Sequence, residues 1–176
     1  MHTPDHETLV KFVHEATVEV FSMMLGLEVD EYNARLQSDS TSINDGVVSL
    51  IGLAGPWVGT GSLLCSAHFA CRAASALLGM EYAAVDHEVL DAFGEVTNII
   101  IGNVKTRLEE LAGPLGLSIP TVVYGHNFAA RTMGSNRWSV VAFRCGEEKF
   151  EVQICLAMNQ NGSHPRLSFA GHLSSM

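Results

Sequence analysis

DHEVLDAFGEVTNIIIGNVKTRLEELAGP, residues 86–114, is the stretch that decides the fold of this chain. Its apolar residues recur every three to four positions, which predicts one amphipathic helix over residues 86–112. Gly113 followed by Pro114 predicts the end of that helix. The stripe expected to face the core consists of Leu90, Phe93, Ile100, Val104, Leu108 and Leu111. The opposite side collects Glu88, Asp91, Glu95, Asn98, Gly102, Lys105, Thr106 and Glu109.

The polar side of this helix has the composition of a functional site. Glu95 and Asn98 are three residues apart, so their side chains are neighbours on the helix surface, and Gly102 follows one turn later. Gly94 and Gly102 each cost about 1 kcal/mol against alanine. Weak helix formers inside a long helix are typical of a site, and Ile99 beside the pair is predicted to be an exposed apolar contact. Spacing alone also fits a solvated outer face.

Two shorter helices are predicted upstream. The first covers residues 5–25, with Thr3 as its N-terminal cap and Gly26 at its end. The second begins after the capping residue Ser66 and ends near Gly79. Both carry apolar stripes at helical spacing, so both are expected to pack on the same core as the long helix.

Five apolar runs predict strands, and residues 37–46 predict a loop with room for one edge strand. The runs are residues 47–54, 57–65, 119–125, 137–145 and 149–158. The predicted fold is α+β, with an antiparallel or mixed sheet of about five or six strands and the long helices packed on one face. We expect a single domain over residues 1–158, followed by a loop and C-terminal tail over residues 159–176.

Composition excludes several classes of protein. The chain has 176 residues, 47% of them apolar, and a formal net charge of −9. That is too apolar for a disordered chain, and the acidic balance gives no cationic surface for nucleic acid or an anionic membrane. No apolar run is long enough to span a bilayer, and no signal peptide is visible. The four cysteines are widely spaced, which predicts reduced thiols in a cytoplasmic protein.

Other candidate chemistry is weak. The eight histidines show no spacing that brings three or four ligands together, so no metal site is expected. The serines lack the context of a hydrolase elbow, and a cysteine nucleophile is not expected. The glycines of GLAGPWVGTG, residues 52–61, do not open a helix after a strand, as a dinucleotide-binding loop would require.

Residues 91–103, DAFGEVTNIIIGN, resemble the D/S-x-x-x-E-x-x-N-x-x-x-G signature of the CheC/CheX/FliY phosphatases of bacterial chemotaxis. The surroundings are similar as well: an N-terminal helix, a glycine-punctuated hairpin and a helix ending LLG. The resemblance covers roughly residues 5–158, and the single copy of the signature favours a CheX-like chain. One departure is Thr97, which stands where the CheC-type form E-I-G-N has glycine; a β-branched residue there is expected to affect docking.

The resemblance implies a CheC-like fold, a homodimer and hydrolysis of the aspartyl phosphate of a CheY-like receiver protein. Asn98 would orient the attacking water and Glu95 would pair with the receiver's lysine. Asp91, Ile99 and Gly102 would belong to the partner-binding surface, with Gly102 supplying steric clearance. The chain would need no cofactor of its own, since Mg²⁺ is held by the receiver. The alternative is a non-catalytic receiver-binding or flagellar-switch-like module of the same fold.

Overall fold

In a computed structural model, residues 4–38, 41–130 and 137–159 are described, with only the backbone for residues 41–45 and 127–130. The helices are α1 (His6–Val20), which continues into a π-helical turn over Phe21–Leu25, α2 (Ala67–Leu78) and α3 (His87–Ala112). The strands are β1 (Asp30–Gln37), β2 (Thr41–Ala54), β3 (Trp57–Cys65), β4 (Gly116–Leu117), β5 (Thr121–Ala130), β6 (Trp138–Cys145) and β7 (Glu148–Met158).

All seven strands form one antiparallel sheet, which confirms the α+β class. The order across the sheet is β1-β6-β7-β3-β2, and both β4 and β5 pair with the far side of β2. The strand count exceeds the expected five or six because of β1 and the two-residue β4. Residues 41–46, predicted to lie in a loop, are part of β2 and pair with β5. Backbone pairing with β5 extends the strand through this polar stretch, where the sequence predicted a loop with room for one edge strand.

The helix ends follow their capping residues. Asp5 caps α1, since its side chain accepts a hydrogen bond from the Thr8 amide at 2.8 Å. The expected cap, Thr3, lies outside the described residues. Gly26 ends the first helical segment in the left-handed conformation at φ 64°, as predicted. Ser66 caps α2 as predicted, with its hydroxyl accepting from the Phe69 amide at 3.1 Å.

The three helices pack on one face of the sheet around an aromatic centre. Phe150 of β7 lies at this centre, with its ring 4.8 Å from those of both Phe21 and Phe69 and 5.3 Å from that of Phe143. These rings come from α1's continuation, α2 and the sheet, so they join all layers of the fold. The predicted division into a domain of residues 1–158 and a tail of residues 159–176 stays a prediction, because only Asn159 of that tail is described.

Helix α3 is seated on β3 through a glycine. A Cβ atom at Gly61 would lie 2.6 Å from Cδ1 of Ile101, so only glycine lets the helix approach this closely. The buried face of α3 includes Thr97 and Ile101, both fully buried, rather than only the predicted stripe. At the ends of that stripe, Leu90 is half-buried and Leu111 is exposed, because the neighbouring residues Val89 and Ala112 are the ones that face the core there. The remaining four stripe residues are buried as predicted.

Candidate functional site

The outer side of α3 carries Glu95 and Asn98 as neighbouring, unengaged side chains. The helix begins at the cap Asp86, whose carboxylate accepts from the Val89 amide at 2.9 Å. Glu95 is exposed and Asn98 is half-buried. Within the described ranges neither side chain has a hydrogen-bond or ion-pair partner. A carboxylate and a carboxamide are therefore held side by side on a long helix and are free to bind a ligand or partner.

An acidic surface surrounds Glu95. Asp91 is exposed one turn earlier on α3 and has no ion-pair partner among the residues that the structure describes. Glu88 is exposed a further turn back and accepts a hydrogen bond from the Tyr82 hydroxyl at 2.7 Å. The nearest cation on this side of the helix, Lys105, is engaged with Glu109 at 2.9 Å. A surface of this charge favours a partner that presents a cation.

A short segment of the chain runs beside this face of α3. A Cβ atom at Gly94 would lie 3.2 Å from Cγ2 of Val122 and 3.5 Å from Cγ of Pro120. Two turns later on the helix, a Cβ atom at Gly102 would lie 3.9 Å from Cδ1 of Leu117. The segment that joins β4 to β5, residues 118–120, therefore runs antiparallel to α3. We call residues 118–120 the connector; Asn98 lies between the two points of contact.

Gly102 is not required by packing within the chain. The nearest atom to its Cβ position, at 3.9 Å, is an ordinary van der Waals contact, and the residue is half-buried. Gly94, in contrast, is buried against β5. Packing within the chain therefore explains the glycine at position 94 but not the glycine at position 102. A side chain at position 102 would meet no close atom of the chain, and the role of Gly102 in clearance for a partner stays a prediction.

Two residues lie differently from what the sequence indicated. Thr97 is fully buried, and its hydroxyl donates to the Phe93 carbonyl at 2.8 Å, so its β-branched side chain points away from the Glu95 surface. Thr97 is therefore not part of the exposed surface around Glu95, and its effect on docking stays a prediction. Ile99 is half-buried and packs against the core instead of standing free. The most exposed large apolar side chain in the described ranges is that of Ile119, which was predicted to lie in a strand.

The cysteines and the histidines that the structure describes offer no competing site. All four cysteines are free and buried, and burial raises the pKa of each thiol, most strongly that of Cys65. Such thiols stay protonated at neutral pH and are poor nucleophiles. The Ser66 hydroxyl donates a hydrogen bond to Glu148 at 3.2 Å, and His68 also contacts Glu148. In a serine–histidine catalytic pair the serine hydroxyl would donate to the imidazole, but here it donates to the carboxylate instead. The described part of the chain contains no group of three potential metal ligands.

No helix in the described ranges is long and apolar enough to cross a membrane.

Comparison with known proteins places the chain in the CheX family. A family model described as chemotaxis phosphatase CheX matches residues 47–144. The CheY-P phosphatase CheX of Thermotoga maritima is 33% identical over 89 residues, which are 50% of this chain and 57% of that protein. The chain thus spans just over half the length of that relative.

Solved structures share the fold. A chemotaxis protein CheX from Desulfovibrio desulfuricans superimposes with a TM-score of 0.76 at 23% identity, over 85% of this chain and 99% of that one. A CheX–CheY–BeF₃–Mg²⁺ complex from Borrelia burgdorferi gives a TM-score of 0.71 at 26% identity, over 88% of this chain and 99% of the matched chain. The likeness extends over 85% and 88% of the chain in these two comparisons, so the CheC-like fold is confirmed.

Proposed function

Because this chain belongs to the CheX family of chemotaxis phosphatases, we propose that it hydrolyses the aspartyl phosphate of a CheY-like receiver protein. The observation that carries the proposal is the unengaged pair of Glu95 and Asn98 on α3, inside the matched region. The Borrelia relative was solved together with CheY, BeF₃ and Mg²⁺, which supports a receiver as the partner. Receivers act in the cytoplasm, where we expect this chain as well.

Asn98 is proposed to position the attacking water. Its carboxamide oxygen accepts a hydrogen bond from water while its NH₂ group donates to a phosphoryl oxygen. A neutral amide does this without repelling the negative phosphoryl group. The water oxygen bonds to phosphorus, the bond from phosphorus to the aspartyl oxygen breaks, and the products are inorganic phosphate and the receiver's free carboxylate. An acyl phosphate is already reactive, so positioning is the main contribution that the helper protein must make.

Glu95 is proposed to fix the docking geometry. The receiver's active-site lysine is the cation that the acidic surface of Glu95 and Asp91 would attract. A pair between this lysine and Glu95 would bring the phosphoryl group over Asn98, one turn along the helix. The Mg²⁺ required for the reaction would remain bound to the receiver, and the chain would supply no cofactor.

The family resemblance implies a homodimer, and the two sheet edges differ in their suitability for pairing. At the β1 edge the strand is broken by a bulge between Glu31 and Asn33 and carries Asp30, Glu31 and Arg35. The β5 edge has no Asp, Glu, Lys or Arg along its length. Charges and bulges protect an edge from pairing, so we propose that a second copy pairs along β5. Sedimentation of the purified chain tests this: a dimer is expected, and a monomer at all concentrations contradicts it.

The decisive experiment measures loss of phosphate from radiolabelled receiver domains of the source organism, with and without the chain. Wild-type protein should accelerate the loss from at least one receiver, and Asn98→Ala should abolish the acceleration while the circular dichroism spectrum is unchanged. Asn103→Ala, on the same helix but away from Glu95, is the matched control and should retain activity. Binding without acceleration would favour the alternative, a receiver-binding or flagellar-switch-like module.

A further inference from the structure

We propose that Ile119, on the connector beside α3, is an apolar contact for the receiver and helps to determine which receiver the chain serves. The inference rests on the proposed function and adds a residue outside the Glu95–Asn98 signature. The partner that fits would present a cation, a phosphoryl group and an apolar recess, in that order across the face that meets α3.

The exposure of Ile119 is the first observation. Its side chain is 85% exposed, the highest value among the large apolar side chains that the structure describes. Its neighbours in the connector, Ser118 and Pro120, are engaged with β2 and α3 respectively. An isoleucine exposed to this extent contributes little to the core of its own chain. Its apolar surface is available to a partner.

The position of Ile119 is the second observation. Leu117 lies opposite Gly102 and Pro120 lies opposite Gly94, so the two residues between them along the connector, Ser118 and Ile119, run past the level of Asn98. Glu95 lies on the opposite flank of Asn98, since it follows Gly94 around the helix. The order across the surface is therefore carboxylate, carboxamide and isoleucine. A receiver that brings its phosphoryl group to Asn98 would therefore approach the connector that carries Ile119.

The connector is also held rigidly, which is the third observation. The Ser118 amide donates to the Gly52 carbonyl at 2.9 Å, and the Gly52 amide donates to the Ser118 hydroxyl at 2.9 Å. The same hydroxyl donates to the Ile119 carbonyl at 2.8 Å. Pro120 packs at Gly94 and its ring fixes its own backbone φ. An apolar side chain on such a support loses little conformational freedom when a partner binds, which favours affinity.

Two features of the connector favour a receiver, rather than a second copy of this chain, as the partner that contacts Ile119. Pairing of two copies along a sheet edge needs free backbone amides, and Pro120 has none. The connector also lies outside the strands on either side of it, β4 and β5. Ile119 therefore stands beside the site of chemistry and beyond the end of the edge at which a dimer is proposed.

The test compares Ile119→Ser with Met80→Ser, which removes an apolar side chain that is 59% exposed just after α2. Binding is measured first, as the Kd for purified receiver domains of the source organism loaded with beryllofluoride and Mg²⁺. Ile119→Ser should weaken binding on the order of tenfold, Ile119→Leu should restore most of it, and Met80→Ser should change it less than twofold. When the phosphorylated receiver is the substrate, the KM of Ile119→Ser should rise in parallel with its Kd, while its kcat is retained.

The possible outcomes separate this inference from the proposed function. If the wild type hydrolyses a receiver and Ile119→Ser binds and turns over normally, the contact is refuted and the phosphatase stands. If a receiver binds without hydrolysis and Ile119→Ser weakens that binding, the contact is supported and the phosphatase fails. A variant that sediments as a monomer where the wild type is a dimer would assign Ile119 to the second copy and overturn the inference. If no receiver binds the wild type, the contact is overturned as well.

Discussion

The backbone of Gly94 lies so close to Val122 that a Cβ atom added at Gly94 would stand 3.2 Å from Cγ2 of Val122. The other glycine of the same helix face, Gly102, has no such neighbour; its nearest atom is Cδ1 of Leu117 at 3.9 Å. The first glycine serves the contact of α3 with the chain's own sheet. The second leaves backbone uncovered beside Asn98, and this difference can be measured.

Gly102→Ala should stabilise the fold and weaken the function. Alanine is favoured over glycine inside a helix by up to about 1 kcal/mol, and the added methyl group meets no close atom of the chain. If a receiver approaches the bare backbone, the same methyl group should raise KM. Urea unfolding and receiver dephosphorylation measure the two effects. Gly94→Ala is the control, and it should gain less stability because Val122 must move; full activity in Gly102→Ala would contradict a role in clearance.

Glu95→Gln should weaken receiver docking and leave the chemical step intact. The substitution keeps the size of the side chain and removes only its charge, so the expected loss is that of one exposed ion pair, ~1 kcal/mol or about fivefold in KM. The KM of the variant should also depend less steeply on salt than that of the wild type. Glu110→Gln, an exposed residue elsewhere on α3, should behave as wild type. A fall in kcat with unchanged KM would reject the docking role.

Gly61→Ala should destabilise the fold by about 1–3 kcal/mol, because an added methyl group would overpack the seat of α3 on β3. Its Cβ atom would lie 2.6 Å from Cδ1 of Ile101, a fully buried side chain. Urea denaturation measures the loss. Gly52→Ala is a matched change on the neighbouring strand, where the nearest atom is the Ser118 hydroxyl oxygen at 3.5 Å. Equal stability of these two variants would show that the helix is not held at Gly61.

Glu109 should stabilise the end of α3 in a pH-dependent way. Hydrogen bonds from the Leu115 amide and then from Lys105 lower the pKa of Glu109 below its ordinary value of 4.5. A pKa that is lower in the folded state gives stability above the unfolded-state pKa, and this stability is lost as the pH falls through the folded-state value. Glu109→Gln should therefore have a lower Tm than wild type at neutral pH, and the two curves should converge as the pH falls below the folded-state pKa of Glu109. A constant difference at all pH values would contradict this linkage.

The sequence was sufficient for features that depend on local pattern. Helix α3 was predicted to within a residue, because its stripe, its N-terminal cap and its terminal Gly-Pro all agree. The solvent-facing placement of Glu95 follows from the same periodicity. Long-range features were different: residues 41–46 form strand only because β5 pairs with them. The exposure of Ile119 depends on how the connector runs beside α3, and the sequence pattern around Ile119 does not predict this tertiary arrangement.

The strand order has a consequence for the order in which the parts of the molecule fold. Strand β1 pairs with β6, which is synthesised much later, so Asp30 can pair with Arg144 only after most of the chain has been made. Helix α1 also packs against β6. A chain emerging from the ribosome therefore presents α1 and β1 before their partner has been made. Pairings between distant parts of a chain carry a high entropic cost of loop closure and are slow to form. We infer that β2, β3 and α3 assemble first, and that the β1 edge is the last part of the sheet to close.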